Sequence, residues 1–408
     1  LTLRNDVPLL YLHLRGATTF RVGGVKSFAY LADERTGKKP GITHAYDRLI
    51  SAGYRETVKS NGRDREANPH PYEMRIDATP CEFRFHAQGD ESETEAIAQA
   101  VEERLESKSF NLSRWRRILR GGTTDIEESR RDPVTAAEHF LRVQVYGEEH
   151  PLLNSLFGRP ETIEKLKFSH MEKLHEKLRR TGDSRLYAVG PMEPKQLLGI
   201  FDGHLAKHGS FRAEEPSELP LPMSEITGAV FPAFERSEAR IELAFSPQLV
   251  GPGSIRWAEM ELFLEVLRNV TEGELRHQLG LVYFVSPFDQ SAHGCASVRV
   301  QTQSRPESAI DVYGRLHAIL SRLDREGFDE LEVLRGKLRL AGRVRSSLDG
   351  SSTSLLLALS RYQAAGTDPV NAVLSVDLER LNAVAGELLD AQAYAFAVIG
   401  PILEEDVE

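Results

Sequence analysis

This chain predicts an α+β protein of two similar domains, each a mainly antiparallel sheet covered by helices, and three observations carry that prediction. Short period-two strand patterns alternate with amphipathic helical stretches in both halves of the 408 residues. Residues 209–224 hold three prolines and no periodicity, which reads as a semi-extended linker between domains 1–208 and 225–408. Three landmarks also recur in order at nearly one spacing. Phe110 and Phe328 each open a long helix, Tyr146 and Tyr362 each end the next one, and Leu186-Tyr-Ala-Val-Gly-Pro and Phe396-Ala-Val-Ile-Gly-Pro each close a half. One such match arises easily by chance, whereas three in order point to an internal duplication.

Taken in order, residues 7–14 alternate as a strand, and residues 20–30 hold one or two more, interrupted by Gly23-Gly24. A helix is expected over 40–53, then strands at 73–78 and 82–86. Residues 91–105 place Ala96, Ile97, Ala100, Val101 and Leu105 on one stripe of a helix. Helices follow from about 111 to 131, weakened by Gly121-Gly122, and over 133–146, 169–180 and 194–207, with a strand at 185–189. Beyond the linker the pattern restarts. Strands are expected at 226–231, 241–245, 281–285, 296–303 and 394–399, and helices at 255–270, 308–324, 329–345, 352–364, 369–374 and 377–389.

A chain of this length exceeds one ordinary core, and its composition, 40% hydrophobic and 27% charged, is that of a globular protein. A net charge of -10 argues against nucleic acid or an anionic membrane as partner, since no basic stripe of the needed size neutralises phosphates. No apolar run approaches the roughly 18 residues that span a bilayer. Leu1 opens directly into strand-like sequence, so an initiator Met or leader is expected to be removed or to lie outside this sequence. Cys81 and Cys295 are too few for a disulfide framework and are expected to be small buried residues; they lean the expected compartment to a reducing, cytoplasmic one.

The stretch from Pro40 to Gly53 is where metal chemistry would be found. Ile42, Ala45, Leu49 and Ala52 form its apolar stripe, and His44, Asp47 and Arg48 share another face at i, i+3 and i+4. A helical His-x-x-Glu-His binds zinc through two imidazoles and uses its carboxylate to activate water. Here the first His stands, the carboxylate is one methylene shorter and the second His is Arg48. A guanidinium has no lone pair to give and stays charged, so it repels a cation. Other groupings are weaker. His204 and His208 have i, i+4 spacing without an evident third ligand, and His170 and His175 do not share a helix face; each is expected at the surface. The Glu172–Arg180 charge run reads as a solvated helix face, and neither glycine pair has phosphate-loop spacing.

Several parts stand in one order. They are the His-x-x-Asp-Arg helix, a helix beginning near Phe110, and Asp132-Pro133 leading into a helix that ends Tyr-Gly-x-x-His-Pro. A strand ending Val-Gly, a linker, and Glu274-Leu-Arg-His-Gln-Leu-Gly-Leu-Val-Tyr283 complete the order. It resembles the pitrilysin/insulinase metallopeptidase family, as a single two-domain subunit of the short bacterial or mitochondrial-processing type. The most specific piece is 274–283, close to the family's Leu-Arg-Glu-Lys-x-Gly-Leu-Ala-Tyr. The resemblance implies a zinc site on His-x-x-Glu-His with a downstream Glu ligand, and two subunits closed around a chamber.

Carried over by residue, the vestigial positions are His44, Asp47, Arg48 and Asp125, with Glu127 and Glu128 as register alternatives for the third ligand. No metal is expected in this chain, and zinc is expected in a homologous active partner. Arg48 is expected to fill the metal position, paired with Asp47 or Asp125. The resemblance assigns Arg276 and Tyr283 to holding the backbone and developing oxyanion of a peptide, for which a guanidinium fork and a phenol are suited donors. The leading expectation is a non-catalytic subunit that forms a heterodimer with an active peptidase and binds peptide or unfolded segments. A peptide-binding or assembly scaffold, and an active zinc peptidase with altered ligands, stand as alternatives.

Overall fold

A computed structural model describes residues 1–27, 39, 41–42, 45–46, 48–49, 56–60, 63–67, 72–78, 82–106, 110–147, 160–180, 183–205, 223–245, 248–249, 256–289, 295–348 and 368–402. It divides into two compact units.

In the first unit, strands β1 (Leu9–His13), β2 (Thr19–Ser27), β5 (Glu73–Ala78), β6 (Glu82–Asp90) and β7 (Asp183–Gly190) form one sheet in the order β1-β7-β2-β6-β5. Only the β1–β7 pair is parallel; the other three are antiparallel. A separate hairpin, β3 (Glu56–Ser60) with β4 (Arg63–Ala67), was not expected. Apart from Val58 and Ala67 its residues are polar in sequence, so periodicity is silent there, although Asn61-Gly62 is a hairpin-turn signal in the sequence. Helices α1 (Thr94–Glu106), α2 (Leu112–Arg131), α4 (Phe168–Arg180) and α5 (Pro194–Leu205) belong to this unit for most or all of their length. Ile97, Ala98, Val101, Trp115, Met171, Leu174, Leu197 and Phe201 from these helices close over Phe20, Val22, Phe85 and Ala188 of the strands.

The second unit repeats the plan. Strands β8 (Thr227–Pro232), β9 (Ala239–Phe245), β11 (Val282–Asp289), β13 (Val298–Ser304) and β14 (Tyr394–Gly400) run in the order β11-β13-β9-β14-β8, again with one parallel pair, β8–β14. Reading β8 for β1, β9 for β2, β14 for β7, β13 for β6 and β11 for β5 reproduces the first sheet, which is the duplication expected from the recurring landmarks. A two-residue bridge joins β10 (Gln248–Leu249) and β12 (Cys295–Ala296). Helices α6 (Trp257–Glu272), α7 (Ala309–Glu326), α8 (Glu330–Leu348), α9 (Pro369–Ser375) and α10 (Leu378–Leu388) follow. In α7 the buried Ala309, Val312, Leu316, Ile319, Leu320 and Leu323 make the inward stripe that a 3.6-residue period requires.

Alternation along the strands gives the second sheet two covered faces. Ile241, Leu243, Phe245, Tyr394 and Val398 join the core under α6 and α7. Ala244, Ala395, Ala397 and Ile399 point the other way, where α3 (Pro133–Tyr146) lays Ala137, Leu141 and Val145 against them. Helix α3 lies before the proline-rich stretch in sequence and packs in the second unit. Asp132 caps it by accepting the Thr135 N–H at 2.9 Å with Pro133 at the first helical position. The Thr135 hydroxyl and amide, with Arg236 nearby, hold the Asp132 carboxyl below its ordinary value against a smaller loss of solvation.

Cys81, the side chain of Cys295, the linker up to residue 222 and the helix expected over 352–364 lie outside the described residues. Among the described residues, no helix is long and apolar enough to cross a membrane.

Candidate functional site

The expected metal helix is described only on its inner side. Ile42, Ala45, Tyr46 and Leu49 are buried, so three members of the predicted stripe face the core with Tyr46 added, while its fourth, Ala52, lies outside the described residues. The Tyr46 hydroxyl lies 2.8 Å from His175 Nδ1 on α4. Phe110 sets its ring edge-on to both, with centroids 4.8 Å from His175 and 6.5 Å from Tyr46. His175 is therefore no surface histidine, as its sequence context suggested, but a core group bridging this stretch to the helical layer. It was missed because Tyr46 is remote in sequence, and no local periodicity reports such a pair.

Of the residues expected at the vestigial site, Arg48 is half-buried on this stretch. His44 and Asp47 lie outside the described residues. Asp125, Glu127 and Glu128 fall on α2, but their side chains are outside the described residues.

His204, whose spacing to His208 suggested a metal pair, is turned elsewhere. Its Nδ1 lies 2.7 Å from Glu102 Oε2 and its Nε2 3.1 Å from Glu95 Oε1, so it ties α5 to α1. Burial alone would lower its pKa, but hydrogen bonds to Glu102 and Glu95 outweigh that and raise it. His208 lies outside the described residues. No group of three or more metal-ligating side chains is found among the described residues.

Arg276 and Tyr283 sit at a corner of the second unit. Helix α6 does not stop at Glu272 but widens into a π-type turn over Gly273–Gln278. There the Leu279 amide donates to the Glu274 carbonyl at 3.1 Å and the Leu281 amide to the Leu275 carbonyl at 2.9 Å. Gly280, at φ +64, lets the chain reverse into β11. Leu275 is the buried anchor of the turn, which leaves Arg276 outward.

Tyr283 follows on β11 and is 52% exposed between the buried Val282 and Val285. Strand β11 is the end strand of its sheet, paired to β13 alone, with an irregular register between Val282 and Val285. Its outer row of backbone groups therefore has no strand partner among the described residues, which makes it a template for an added strand.

Glu272 links the two halves of this corner, and it was not among the residues expected from the sequence. Its Oε1 lies 3.9 Å from the Arg276 guanidinium and accepts the Val285 amide at 3.2 Å. The i, i+4 spacing of Glu272 and Arg276 was the available signal. Chemically, the corner offers an exposed guanidinium near a carboxylate, an exposed phenol and a strand edge with no strand partner among the described residues, of which Glu272 takes the Val285 amide. Together these suit the carbonyls of an extended peptide.

Comparison with known proteins agrees with this plan. Residues 165–340 match the family model of the peptidase M16 inactive domain. No curated protein matches the chain. Among solved structures, the peptidase M16 inactive domain from Pseudomonas fluorescens superposes with a TM-score of 0.76 at 15% identity, covering 99% of this chain and 97% of that one. A chain of complex III2 from Candida albicans gives 0.70 at 13% identity, covering 100% and 97%. A point mutant of the ferredoxin protease FusC, in complex with Arabidopsis ferredoxin, gives 0.68 at 13% identity, covering 98% of this chain but 44% of that longer one. Residues 165–340 therefore match a peptidase M16 inactive domain, and the chain along its length has the duplicated fold of M16-like solved structures.

Proposed function

We propose that this chain is the non-catalytic subunit of a heterodimeric zinc endopeptidase, closing its chamber and holding extended peptide at the Arg276–Tyr283 corner. The observation that carries the proposal is the exposure of Arg276 and Tyr283 beside the edge of β11 that has no strand partner among the described residues, with Glu272 near the guanidinium. Strand addition to such an edge supplies sequence-tolerant affinity through the backbone, and the two side chains add donors for carbonyl oxygens. The ferredoxin protease supports a pairing of two such units, since this chain spans 44% of its length, and its complex with ferredoxin supports a protein or peptide as the ligand held.

Zinc does not fit the donor set in this chain. A structural or catalytic site needs three or four protein ligands, and Arg48 stands where the second imidazole would be. A half-buried, permanently charged guanidinium at that position opposes a divalent cation. The metal and the hydrolytic step therefore belong to the partner.

The test is co-expression with a homologous chain bearing intact His-x-x-Glu-His, with hydrolysis of an unfolded peptide as readout. Arg276→Ala and Tyr283→Phe in this chain are expected to raise the KM of the assembled enzyme while leaving assembly intact. Unchanged kinetics in both variants would remove the peptide-binding role.

One alternative has a specific support, the occurrence of this fold in a chain of complex III2. In that reading the chain is an assembly scaffold with no part in catalysis. Co-purification with a partner whose peptidase rate does not depend on this chain would favour it.

A further inference from the structure

Helix α8 carries an apolar stripe that its own core leaves outside. Leu331, Leu334 and Leu338 recur at i, i+3 and i+7 and are 52%, 52% and 61% exposed. The opposite side of the helix is committed to the interior. Val333, Gly336, Leu340 and Val344 are buried, and Gly336 lies so close to Val266 of α6 that a Cβ would collide with it. The leucines are thus on a face that packing within the unit does not use.

The duplicated fold supplies an internal control. Setting Phe328 on Phe110 places Val333 on Trp115 and Leu340 on Gly122, all four of them buried, so the two helices share a register. The positions matching Leu331, Leu334 and Leu338 on α2 are Ser113, Arg116 and Arg120, all exposed. This helix in this fold therefore needs no apolar residue on that face, and the leucines call for another explanation.

Charge indicates what covers them. From Val333 to Leu348 the helix holds Arg335, Lys337, Arg339, Arg343 and Arg345 and no acidic residue, in a chain whose net charge is -10. Arg339 and Arg343 are engaged with Asn269 and Glu265. Arg335 and Arg345 are exposed and have no acidic partner among the described residues.

We propose that this face of α8 docks an acidic amphipathic helix of a partner protein, with apolar residues at i, i+3 and i+7 meeting the leucines and flanking carboxylates meeting Arg335 and Arg345. Pairing of α8 with α8 of a second copy would set these cations against each other. An anionic membrane is the poorer match, because half of α8 is sunk in the core and the overall charge is repelled from such a surface. The inference is independent of the peptide-binding role of Arg276 and Tyr283.

The experiment uses the full chain and two labelled helical peptides that share a three-leucine stripe, one flanked by Glu and one by Lys, read by fluorescence anisotropy. The Glu peptide is expected to bind and to weaken as salt is raised, and the Lys peptide to fail. Leu331→Ser with Leu334→Arg and Leu338→Arg, which copies the face of α2, is expected to weaken binding about tenfold or more with an unchanged thermal midpoint. Arg335→Glu with Arg345→Glu is expected to do the same and to gain affinity for the Lys peptide. The proposal is overturned if the wild-type chain ignores the Glu peptide, or if the leucine variant binds it equally well. Retention on phosphatidylserine vesicles without peptide binding, or a solution dimer that the leucine variant dissociates, would also overturn it.

Discussion

Arg299 on β13 and Glu138 on α3 form an ion pair across 161 positions of sequence, and Glu242 on β9 lies 3.6 Å from the same guanidinium. Arg299 and Glu242 are both buried. The trio locks α3 onto the alanine-lined face of the second sheet, where Arg142 and Arg240 add further cations. Removing one member of a buried set strands the others without solvent.

Arg299→Met is therefore expected to lower the unfolding free energy by about 3–5 kcal/mol in urea denaturation. Combining it with Glu138→Leu and Glu242→Leu should recover most of that loss, because no uncompensated charge is left behind. The two carboxylates respond oppositely to pH. Burial pushes Glu138 up, but Arg299 and Arg142 outweigh it and hold its pKa low, so its contribution is present above the ordinary carboxylate range and fades as pH falls through the lowered value. For Glu242 burial prevails over Arg240 and Arg299 and the pKa is raised, so the folded state gains as pH falls through it. At neutral pH, Glu138→Gln should accordingly cost more than Glu242→Gln.

This trio also marks the limit of what the amino-acid order discloses. The duplicated sheet-and-helix plan was legible, because strand alternation, helix stripes and the echo of Phe110 in Phe328 are local patterns. The 274–283 segment singled out Arg276 and Tyr283, and the structure leaves both side chains exposed there. The contacts that hold these parts were not: Tyr46 with His175, Arg299 with Glu138, and the passage of α3 to the second sheet all join residues remote in sequence. The hairpin of β3 and β4 escaped because a stretch composed almost wholly of polar residues has no apolar period to read.

Gly336→Ala tests the seating of α8 on α6. The new methyl group would meet Cγ2 of Val266, and overpacking of this kind costs about 1–3 kcal/mol, which outweighs the roughly 1 kcal/mol that Ala gains over Gly in a helix. Thermal unfolding should show net destabilisation in the single variant. Val266→Ala added to Gly336→Ala should restore part of the loss, a coupling that two independent sites would not show.

His204 predicts a pH-dependent tie between α5 and α1. Its pKa is raised by Glu102 and Glu95, so the stabilisation is fully present below the ordinary histidine value and is lost as pH rises through the higher folded-state value. His204→Gln should cost about 1 kcal/mol near pH 6 and much less near pH 9. Denaturation midpoints of the two proteins across that window would converge at the alkaline end. Parallel curves would show that the imidazole is not charged in the folded state.

Zinc supplies the most direct check on the vestigial helix. If Arg48 occupies the place of an imidazole, the purified wild-type chain holds far less than one equivalent of zinc after dialysis against the metal. Arg48→His removes the cation and returns a lone pair, and Asp47→Glu restores the reach of the carboxylate by one methylene. The double variant is expected to take up zinc near one equivalent, with His44, the new imidazole and an acid from α2 as ligands. Asp125→Ala, Glu127→Ala and Glu128→Ala placed on that background would then identify the third ligand by which of them abolishes uptake. Binding free energy adds to stability when metal joins the folded state alone, so the double variant should also melt higher with zinc than without it. Equimolar zinc in the unmodified chain, removed by a chelator together with peptide hydrolysis, would place the hydrolytic centre in this subunit instead of its partner.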